Sequence, residues 1–424
     1  MQARTYRMTR RAAGLGMGAA LLAGCMGGGI TGAPSASRRQ EDPTMRPVAN
    51  PAFDAWLAEF RNRARARGIT EGTLNNALAG AGYLPGVIER DRNQAEFRRT
   101  LEDYLALVAS EDRVNEGRNA ARQYASLLSE IESRFGVESH VVAAIWGVES
   151  RYGQRRGDIP VVSATATLAF DGRRGQMFEN QLMAALRIVQ NGDTTPARMV
   201  GSWAGAMGHT QFIPTTYAEY AVDFRGTGRR DIWADDPTDA LASAAAYLSR
   251  MGWRRGQPWG FEARLPEGFP TSALGRSSTR SRADWAGMGV TRADGSTLPD
   301  HGPASVIAPM GIGAPAFMTF ANFTTITRYN NSENYVIGVG YLADRIRGGG
   351  PLRTAFPPDR FGLTFDDRVE LQRRLTAAGF DTGGADGVLG QNTESAIRGF
   401  QRARGIAETG EPSRALLDAL RGRG

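Results

Sequence analysis

The 424-residue chain contains no lysine, a single cysteine and only three histidines. All 51 basic residues are therefore arginine, whose planar guanidinium binds carboxylates through paired hydrogen bonds. One cysteine excludes an internal disulfide and a cluster of thiolate metal ligands. His209 and His301 are isolated in the sequence, so we expect no zinc site. The fold must therefore depend on its packed core.

The charge balance gives no indication of a nucleic-acid partner. The formal net charge is +7, but residues 1–24 hold four arginines and no acidic residue. Without that segment, 47 basic and 44 acidic residues leave a net charge of +3. The length predicts two or three domains, and the hydrophobic content of 41% is ordinary for a globular protein. We expect a monomer that needs no cofactor and binds no nucleic acid.

The N-terminal segment is typical of an export signal. Its basic part is followed by a short apolar run over residues 12–23, too short and too glycine-rich to remain as a membrane span. The run ends in Leu22-Ala23-Gly24-Cys25, which resembles a bacterial lipobox. We therefore predict a signal peptide over residues 1–24 and a lipid anchor in the membrane on Cys25. The alternatives are an unlipidated cysteine and, for the route, general or twin-arginine export.

Composition and periodicity divide the rest of the chain. Residues 25–50 are rich in Gly, Ser, Pro and Arg and predict a tether. Helical spacing of apolar residues predicts a mainly helical domain over residues 51–347, with a β-rich insert at about 259–327. A Gly- and Pro-rich linker over 348–362 precedes a compact helical tail over 363–424. The expected fold class is α+β, mainly α.

A single acidic residue lies on an apolar helix face. Residues 139–150 predict a short helix that Ser139 caps and Gly153 ends. Glu149 follows Val142 by seven residues and shares its apolar face. Burial raises the pKa of a carboxyl group, as a general acid at neutral pH requires. The alternative is a structural ion pair with a neighbouring arginine, Arg151 or Arg155.

A second segment, residues 201–217, has the composition of a ligand-binding loop. Its three glycines within eight residues allow the backbone to approach a ligand closely. Ser202, Gln211 and Tyr217 add uncharged groups suited to hydroxyls and amides. The alternative is a structural loop that leads into a helix near Pro214.

Three motifs follow one another in the predicted main domain. They are Gly147-Val-Glu-Ser-Arg-Tyr-Gly153, Gly205-Ala-Met-Gly-x-x-Gln-Phe-x-Pro214 and Arg328-Tyr-Asn-x-Ser-x-x-Tyr335. Together they resemble the lytic murein transglycosylases of the membrane-bound B type, over roughly residues 50–350. The resemblance implies a lysozyme-like helical body with a small β subdomain. It also implies cleavage of the β-1,4 bond between N-acetylmuramic acid and N-acetylglucosamine.

The resemblance implies one catalytic carboxyl group, that of Glu149. It would protonate the leaving oxygen and then accept the proton of the muramic C6 hydroxyl, which attacks C1 and forms a 1,6-anhydro product. Most glycoside hydrolases use two carboxylates. Asp158 and Asp171, in predicted loops, are the other candidates, and neither lies on an apolar face. A hydrolytic muramidase and a non-catalytic wall-binding lipoprotein remain alternatives.

The resemblance also implies a set of substrate-binding residues. The neutral side chains that line the cleft in the family pattern are Ser202, Gln211, Tyr329, Asn330 and Tyr335. Arg173 and Arg174 match a paired arginine of the family and would bind lactyl or peptide carboxylates. The alternative for both arginines is a solvated charge pair.

Residues 223–231 lie where some relatives carry an EF-hand-like metal loop. Ca²⁺ requires oxygen ligands at alternating positions, and here Arg225 and Thr227 occupy two of them. A guanidinium cannot ligate a cation, so we expect no bound metal. We expect Arg225 to pair instead with Asp231 or Asp239.

The tail contains Asp386-Gly-x-x-Gly-x-x-Thr-x-x-Ala-Ile-x-x-Phe-Gln401 between two amphipathic helical segments. This signature resembles the widespread peptidoglycan-binding domain, which implies peptidoglycan glycan strands as the partner. By the same family resemblance, Met26 after the lipidated cysteine favours sorting to the outer membrane. The expected location is the periplasmic face of the outer membrane of a Gram-negative bacterium.

Overall fold

The protein is described by a computed structural model over residues 42–93 and 99–422. Cys25 and the predicted signal peptide lie outside the described residues. Residues 42–50, predicted as part of the tether, pack on the body: Met45 is buried and Asp42 binds Arg90 at 2.9 Å. Within the described ranges no helix is both long enough and apolar enough to cross a membrane.

The main domain is built from fourteen helices among the described residues. The first seven are α1 Pro51–Ala66, α2 Glu71–Leu78, α3 Pro85–Arg92, α4 Leu101–Val108, α5 Glu111–Gln123, α6 Ala125–Phe135 and α7 Ser139–Ser150. The others are α8 Val161–Asp171, α9 Gly175–Gln190, α10 Pro214–Tyr220, α11 Thr238–Arg250, α12 Arg282–Gly287, α13 Ala321–Ile326 and α14 Glu333–Ile346. The predicted helical character of this region is confirmed.

The strands form two small antiparallel sheets. They are β1 Ile159–Pro160, β2 Val200–Gly201, β3 Gly260–Arg264, β4 Thr279–Arg280, β5 Thr291–Arg292, β6 Ala304–Ile307 and β7 Ala316–Thr319. β1 pairs with β2 beside the helical body. The other five form one sheet in the order β4-β6-β7-β3-β5, with β7 paired to β3 from Ala316 opposite Ala263. This sheet is the predicted β-rich insert, and it packs on a core of its own around Trp285.

The alternating stretch after β7 is helical rather than extended. Phe320, which precedes α13, and Phe323 and Ile326 within it are spaced three residues apart, and all three are buried. The side-chain amide of Asn322 on α13 accepts from Arg254 N at 2.8 Å and donates back to Arg254 O at 2.9 Å. The predicted β-rich insert, at about 259–327, therefore ends in a helix and not in a strand.

Helices α7 and α14 cross the centre of the main core. Along α7, Val141 to Val148 are all buried, and α14 buries Tyr335 to Gly340 in the same way. The two helices are antiparallel, since the start of α14 meets the end of α7 through Tyr335 and Glu149. A helical segment that is buried on every side is stabilised by packing against its neighbours.

The ends of α7 differ from the prediction. Ser139 does not cap the helix; its hydroxyl donates to Leu128 O at 3.2 Å and to Glu132 at 2.7 Å. The helix ends at Ser150, before Gly153, because Arg151 already adopts the left-handed conformation with φ of 51°. The end of the helix is therefore fixed by tertiary contacts that the local sequence does not show.

The tail is a three-helix unit, α15 Phe365–Ala377, α16 Gln391–Ala403 and α17 Arg414–Leu420. Leu371, Ile397, Phe400 and Leu417 form its core. The two amphipathic helices beside the Asp-Gly turn are confirmed, and α17 was not predicted. Gly387 in that turn has φ of 73°, and a side chain there would collide with the Phe365 ring.

Substitution of Gly340 on α14 tests the close packing between the helical body and the β insert. A Cβ atom at this position would lie 2.3 Å from the buried ring of Trp259. We expect Gly340→Ala to lower the free energy of unfolding by about 1–3 kcal/mol, because a packed core cannot absorb the added methyl group.

Gly72→Ala on α2 is the matched control, since nothing lies within 4 Å of its added Cβ. It should leave stability unchanged or raise it by about 0.5–1 kcal/mol. Urea denaturation measures both variants. Equal stability of Gly340→Ala and wild type would contradict the described packing of α14 on Trp259.

Candidate active site around Glu149

Glu149 is half-buried and lies near the end of helix α7, directly after the buried run from Val141 to Val148. Its Oε1 accepts a hydrogen bond of 2.6 Å from the hydroxyl of Tyr335 on α14. Tyr335 is only 2% exposed, so this bond lies in the protein interior. The carboxyl group is therefore held by a neutral donor on the facing helix.

Burial decides the protonation of Glu149. Desolvation raises the pKa of its carboxyl group to about 8, and the Tyr335 hydrogen bond lowers that pKa only in part. The alternative ion pair with Arg151 is wrong, because Arg151 binds Glu116 through Nε and a terminal nitrogen at 3.0 and 2.6 Å. At neutral pH the site therefore holds a protonated carboxyl group.

Aromatic rings form one wall of this site. Tyr329 stacks on Tyr335 at 6.4 Å between ring centroids, with the planes 13° apart. Tyr247 meets Tyr329 edge-on at 5.4 Å, and Phe212 lies 5.8 Å from the same ring. The Tyr329 hydroxyl donates to Thr210 O at 2.5 Å, so it is tied to the glycine-rich loop. Burial in this wall raises the pKa values of Tyr329 and Tyr335 well above the usual value for tyrosine.

The turn after α7 is strained and closely packed. Arg151 and Tyr152 both have positive φ, 51° and 55°, which non-glycine residues rarely adopt. The Tyr152 hydroxyl donates to Arg113 O at 3.2 Å, and its ring occupies the space that a side chain at Gly147 would need. Such strain persists only when the surrounding structure enforces it, and here it fixes the end of the helix that carries Glu149.

The glycine-rich loop is held mainly by its own hydrogen bonds. Ser202 Oγ accepts from Ala206 N at 3.1 Å. Gln211 has φ of 52°, and its side-chain nitrogen donates to Gly208 O at 2.8 Å and Arg156 O at 3.0 Å. The alternative of a loop that leads into a helix is correct for its local structure, because α10 begins at Pro214. Tyr217 is buried and donates to a backbone oxygen, so it does not face a ligand.

Asn330 shapes the start of α14. It is buried, and its side-chain oxygen accepts from Ser332 N at 3.0 Å. Ser332 then caps the helix by accepting from Tyr335 N at 3.4 Å. The Tyr-Asn-x-Ser-x-x-Tyr motif therefore places Tyr335 within reach of Glu149, and of the predicted site residues Tyr335 and Tyr329 are the two that stand at this carboxyl group.

Arg173 and Arg174 bind a buried carboxylate within the protein. Asp91 on α3 is 2% exposed and accepts from Arg173 Nε at 2.7 Å and from a terminal nitrogen of Arg174. The two guanidiniums hold the pKa of Asp91 below its usual value despite burial. The alternative of a solvated charge pair is therefore wrong. Arg173 still exposes about half of its side chain, 49%.

The two other candidate carboxylates do not resemble Glu149. Asp158 is exposed in the segment before β1. Asp171 is the last residue of α8 and not a loop residue, and it pairs with Arg92 at 2.8 Å. Neither has a hydrogen bond to Glu149 or to Tyr335 among the described residues. Neither is therefore bonded to the site as a second carboxylate beside Glu149.

Sequence reasoning missed Tyr104 on α4. Its ring packs on Gly338 of α14, and its hydroxyl is buried without a hydrogen-bond partner among residues 42–93 and 99–422. The charge of Glu149 is close enough to contribute to its raised pKa, after burial. In the sequence, Tyr104 fits the apolar spacing of α4, so only its hydroxyl distinguished it from core residues.

The described residues hold no group of three or more His, Cys, Asp and Glu side chains that could bind a metal ion. Asp223 accepts from Thr227 N and Gly228 N at 2.9 and 2.7 Å, which closes the loop on itself. Arg225 pairs with Glu130 of α6, not with Asp231 or Asp239 as expected, because the loop turns it toward α6. Asp231 binds Arg198, and Asp239 accepts from two backbone amides.

Tyr335→Phe tests the control of the Glu149 pKa. The hydroxyl stabilises the charged carboxylate, so its removal should raise the pKa of Glu149 above about 8. Carbon-detected NMR of labelled glutamate measures this pKa directly. Tyr341→Phe on the same helix is the control, because that hydroxyl accepts from Arg345 at 3.0 Å instead. An unchanged or lowered pKa in Tyr335→Phe would contradict the assigned hydrogen bond.

Comparison with protein-family models assigns two regions. Residues 52–344 match the Transglycosylase SLT domain, and residues 365–420 match the Putative peptidoglycan binding domain. The first match covers well over half of the chain. A curated relative, the membrane-bound lytic murein transglycosylase B of Escherichia coli (strain K12), is 34% identical over 313 residues, 70% of this chain and 83% of that protein.

Solved structures agree with this assignment and with the predicted mainly helical α+β fold. SltB3 from Pseudomonas aeruginosa in complex with NAG-anhNAM-pentapeptide is 46% identical to this chain, with a TM-score of 0.71. The match covers 88% of this chain and 100% of the SltB3 chain. The Escherichia coli lytic transglycosylase Slt35 in complex with bulgecin A is 30% identical, with a TM-score of 0.60, over 70% of this chain and 93% of that chain. The resemblance noted in the sequence is confirmed, and the chain belongs to the transglycosylase SLT domain family, with a peptidoglycan-binding domain after it.

Proposed function

We propose that this protein is a lytic transglycosylase that cleaves the β-1,4 bond between N-acetylmuramic acid and N-acetylglucosamine in peptidoglycan and leaves 1,6-anhydromuramic ends. The observation that carries the proposal is the isolation of Glu149. Its carboxyl group has a pKa of about 8 and a tyrosine as its hydrogen-bond donor. Membership in the SLT family supports the substrate class.

The proposed reaction uses Glu149 twice. Protonated at neutral pH, it gives its proton to the glycosidic oxygen, and the bond from that oxygen to C1 of muramic acid breaks. The resulting carboxylate of Glu149 accepts the proton of the muramic C6 hydroxyl. The oxygen of that hydroxyl bonds to C1 at the same time. The enzyme ends in its starting protonation state and no water is consumed. Because the first step requires the protonated form, kcat/KM should fall as pH rises through about 8.

Tyr335 keeps the carboxyl group oriented through both steps. A buried carboxylate is costly, and a neutral donor at 2.6 Å stabilises it without an ion pair that would keep it charged. An arginine in that place would lower the pKa of Glu149 and remove the acid.

The other predicted cleft residues are proposed to form the substrate site in different ways. Tyr329 presents a ring beside the site, and Ser202, Gln211 and Asn330 shape the backbone that surrounds it. Half of the Arg173 side chain remains exposed after it binds Asp91. That arginine, with Arg174, is proposed to attract the lactyl or peptide carboxylates of muramic acid.

The proposed setting is the periplasmic face of the outer membrane. The predicted signal peptide and lipidated Cys25 would anchor the chain, and the tail would bind peptidoglycan glycan strands. The match of residues 365–420 to a peptidoglycan-binding domain supports this partner. The chain is proposed to act there as a monomer, without a cofactor or bound metal.

Glu149→Gln tests the single-carboxyl mechanism. Loss of a general acid and base typically costs about 10²–10⁴-fold in rate, so release of soluble fragments from purified sacculi should nearly cease while binding to sacculi persists. Mass spectrometry of the wild-type products should find anhydromuramic ends, whereas a hydrolytic muramidase would give reducing ends.

Asp158→Asn and Asp171→Asn are the matched controls. Both remove a carboxylate that is not hydrogen-bonded to the site, so both should retain activity close to wild type. Loss of activity in either one, or reducing ends in the wild-type products, would favour the two-carboxylate hydrolase. Sacculus binding without any soluble product would leave only the wall-binding alternative.

Cys25→Ser tests the proposed anchor. A lipid chain that enters the bilayer is the expected source of membrane attachment, so the variant should move from the membrane pellet to the soluble periplasmic fraction. Fractionation followed by immunoblotting measures the distribution. Gly24 and the signal peptide remain unchanged, which keeps export intact. A variant that stays in the membrane fraction after its signal peptide has been removed would contradict lipidation as the anchor.

A further inference from the structure

The linker between the two domains is bound along the body. The backbone amides of Arg353 and Thr354 donate to the carboxylate of Glu262 on β3, at 2.8 and 2.7 Å. Leu352 and Phe356 pack against the main hydrophobic core. The tail domain therefore starts from a fixed point on the body rather than from a free tether.

A buried arginine then joins the tail to the body. Arg368 on α15 has a side chain only 4% exposed, and one terminal nitrogen binds Glu102 at 2.5 Å and Asp103 at 3.2 Å on α4. Its other terminal nitrogen binds Asp359 at 3.4 Å, and its Nε donates to Gly387 O at 2.8 Å. The guanidinium thus contacts the body, the linker and the Asp-Gly turn of the tail.

Such a contact fixes orientation more than it adds affinity. A buried guanidinium requires partners in the directions of its planar donors, and loss of one side leaves charge without compensation in the interior. Domains joined by a linker move relative to one another unless the interface is large or otherwise constrained. Here the bound linker and the buried arginine constrain the same domain at two points.

The body side of this contact lies next to the start of α14, because the side chain of Asn334, the residue before Tyr335, donates to Arg99 O at 3.0 Å just before α4. Glu102 and Asp103 form the first turn of α4, and Tyr104 follows directly with its ring on α14, close to Glu149. The tail is therefore docked on the start of α4, the helix whose Tyr104 packs on α14.

We propose that Arg368 is a positioning residue that holds the peptidoglycan-binding domain in one orientation beside the active site, so that a strand bound by the tail is presented to Glu149. The inference rests on the proposed function. It assigns to the ion pairs of Arg368 with Glu102 and Asp103 a role in the turnover of polymeric peptidoglycan. Short soluble fragments, which reach the active site without the tail, do not depend on these ion pairs.

The test uses the double variant Glu102→Gln/Asp103→Asn in the full chain. This variant removes the body side of the contact, and Arg368 keeps Asp359 and Gly387, so the tail retains its internal bonds. The control is Glu394→Gln/Glu408→Gln, which neutralises two carboxylates paired with exposed arginines of α16. Both double variants change the net charge equally.

Two readouts separate positioning from a general loss of stability. Spin labels at Gly72→Cys and Ser395→Cys, both exposed positions, report the distance between body and tail in a Cys25→Ser background. We expect one narrow distance in wild type and control and a broad distribution in Glu102→Gln/Asp103→Asn. Fragment release from sacculi should fall about tenfold in that variant, while cleavage of short soluble glycans changes less than twofold.

A narrow distance in Glu102→Gln/Asp103→Asn would overturn the proposal, because the tail would then be held without Arg368. A broad distance with unchanged release from sacculi would also overturn it, as would an equal loss on both substrates. Failure of the proposed function itself would look different: the wild-type chain would then cleave neither sacculi nor short glycans.

Discussion

The hydrogen bond between Tyr335 and Glu149 is the interaction on which the rest of the structure depends. It requires the end of α7 to meet the start of α14, so that the Tyr335 hydroxyl lies 2.6 Å from Oε1 of Glu149. It also requires a neutral partner for the carboxyl group, because a cation at that position would abolish the raised pKa. The packing of the body, the strained turn after α7 and the cap of α14 all serve this one contact.

The sequence motifs contribute to this contact mainly through the backbone. The sequence predicts that glycines in the loop over residues 201–217 allow the backbone to approach a ligand. In the structure, side chains at Gly201 and Gly208 would instead collide with Ala206 O and Ile232 O of the protein itself. Asn330 orders the start of α14. Motif residues can therefore define an active site by placing other residues, even where their own side chains are turned inward.

Periodicity predicted the fold class, most of the helices, the β insert and Glu149, because burial of an apolar face is encoded locally. It failed where distant partners decide. The packing around Tyr152 fixes the end of α7. Asp91, from another helix, binds Arg173 and Arg174. Tyr104 is spaced like a core residue, and its ring packs on Gly338. An ion pair between distant segments has no signature in the spacing of either one.

The burial of the middle of α7, from Val141 to Val148, has a consequence for how the protein opens. Backbone amides exchange with solvent only when their hydrogen bonds break, and a helix without a solvent-facing side has no local route to fraying except at its ends. Val141 to Val148 are buried throughout, so their amides should exchange by global unfolding alone. Glu149 thus sits on one of the least mobile elements of the fold, and the site persists for as long as the domain is folded.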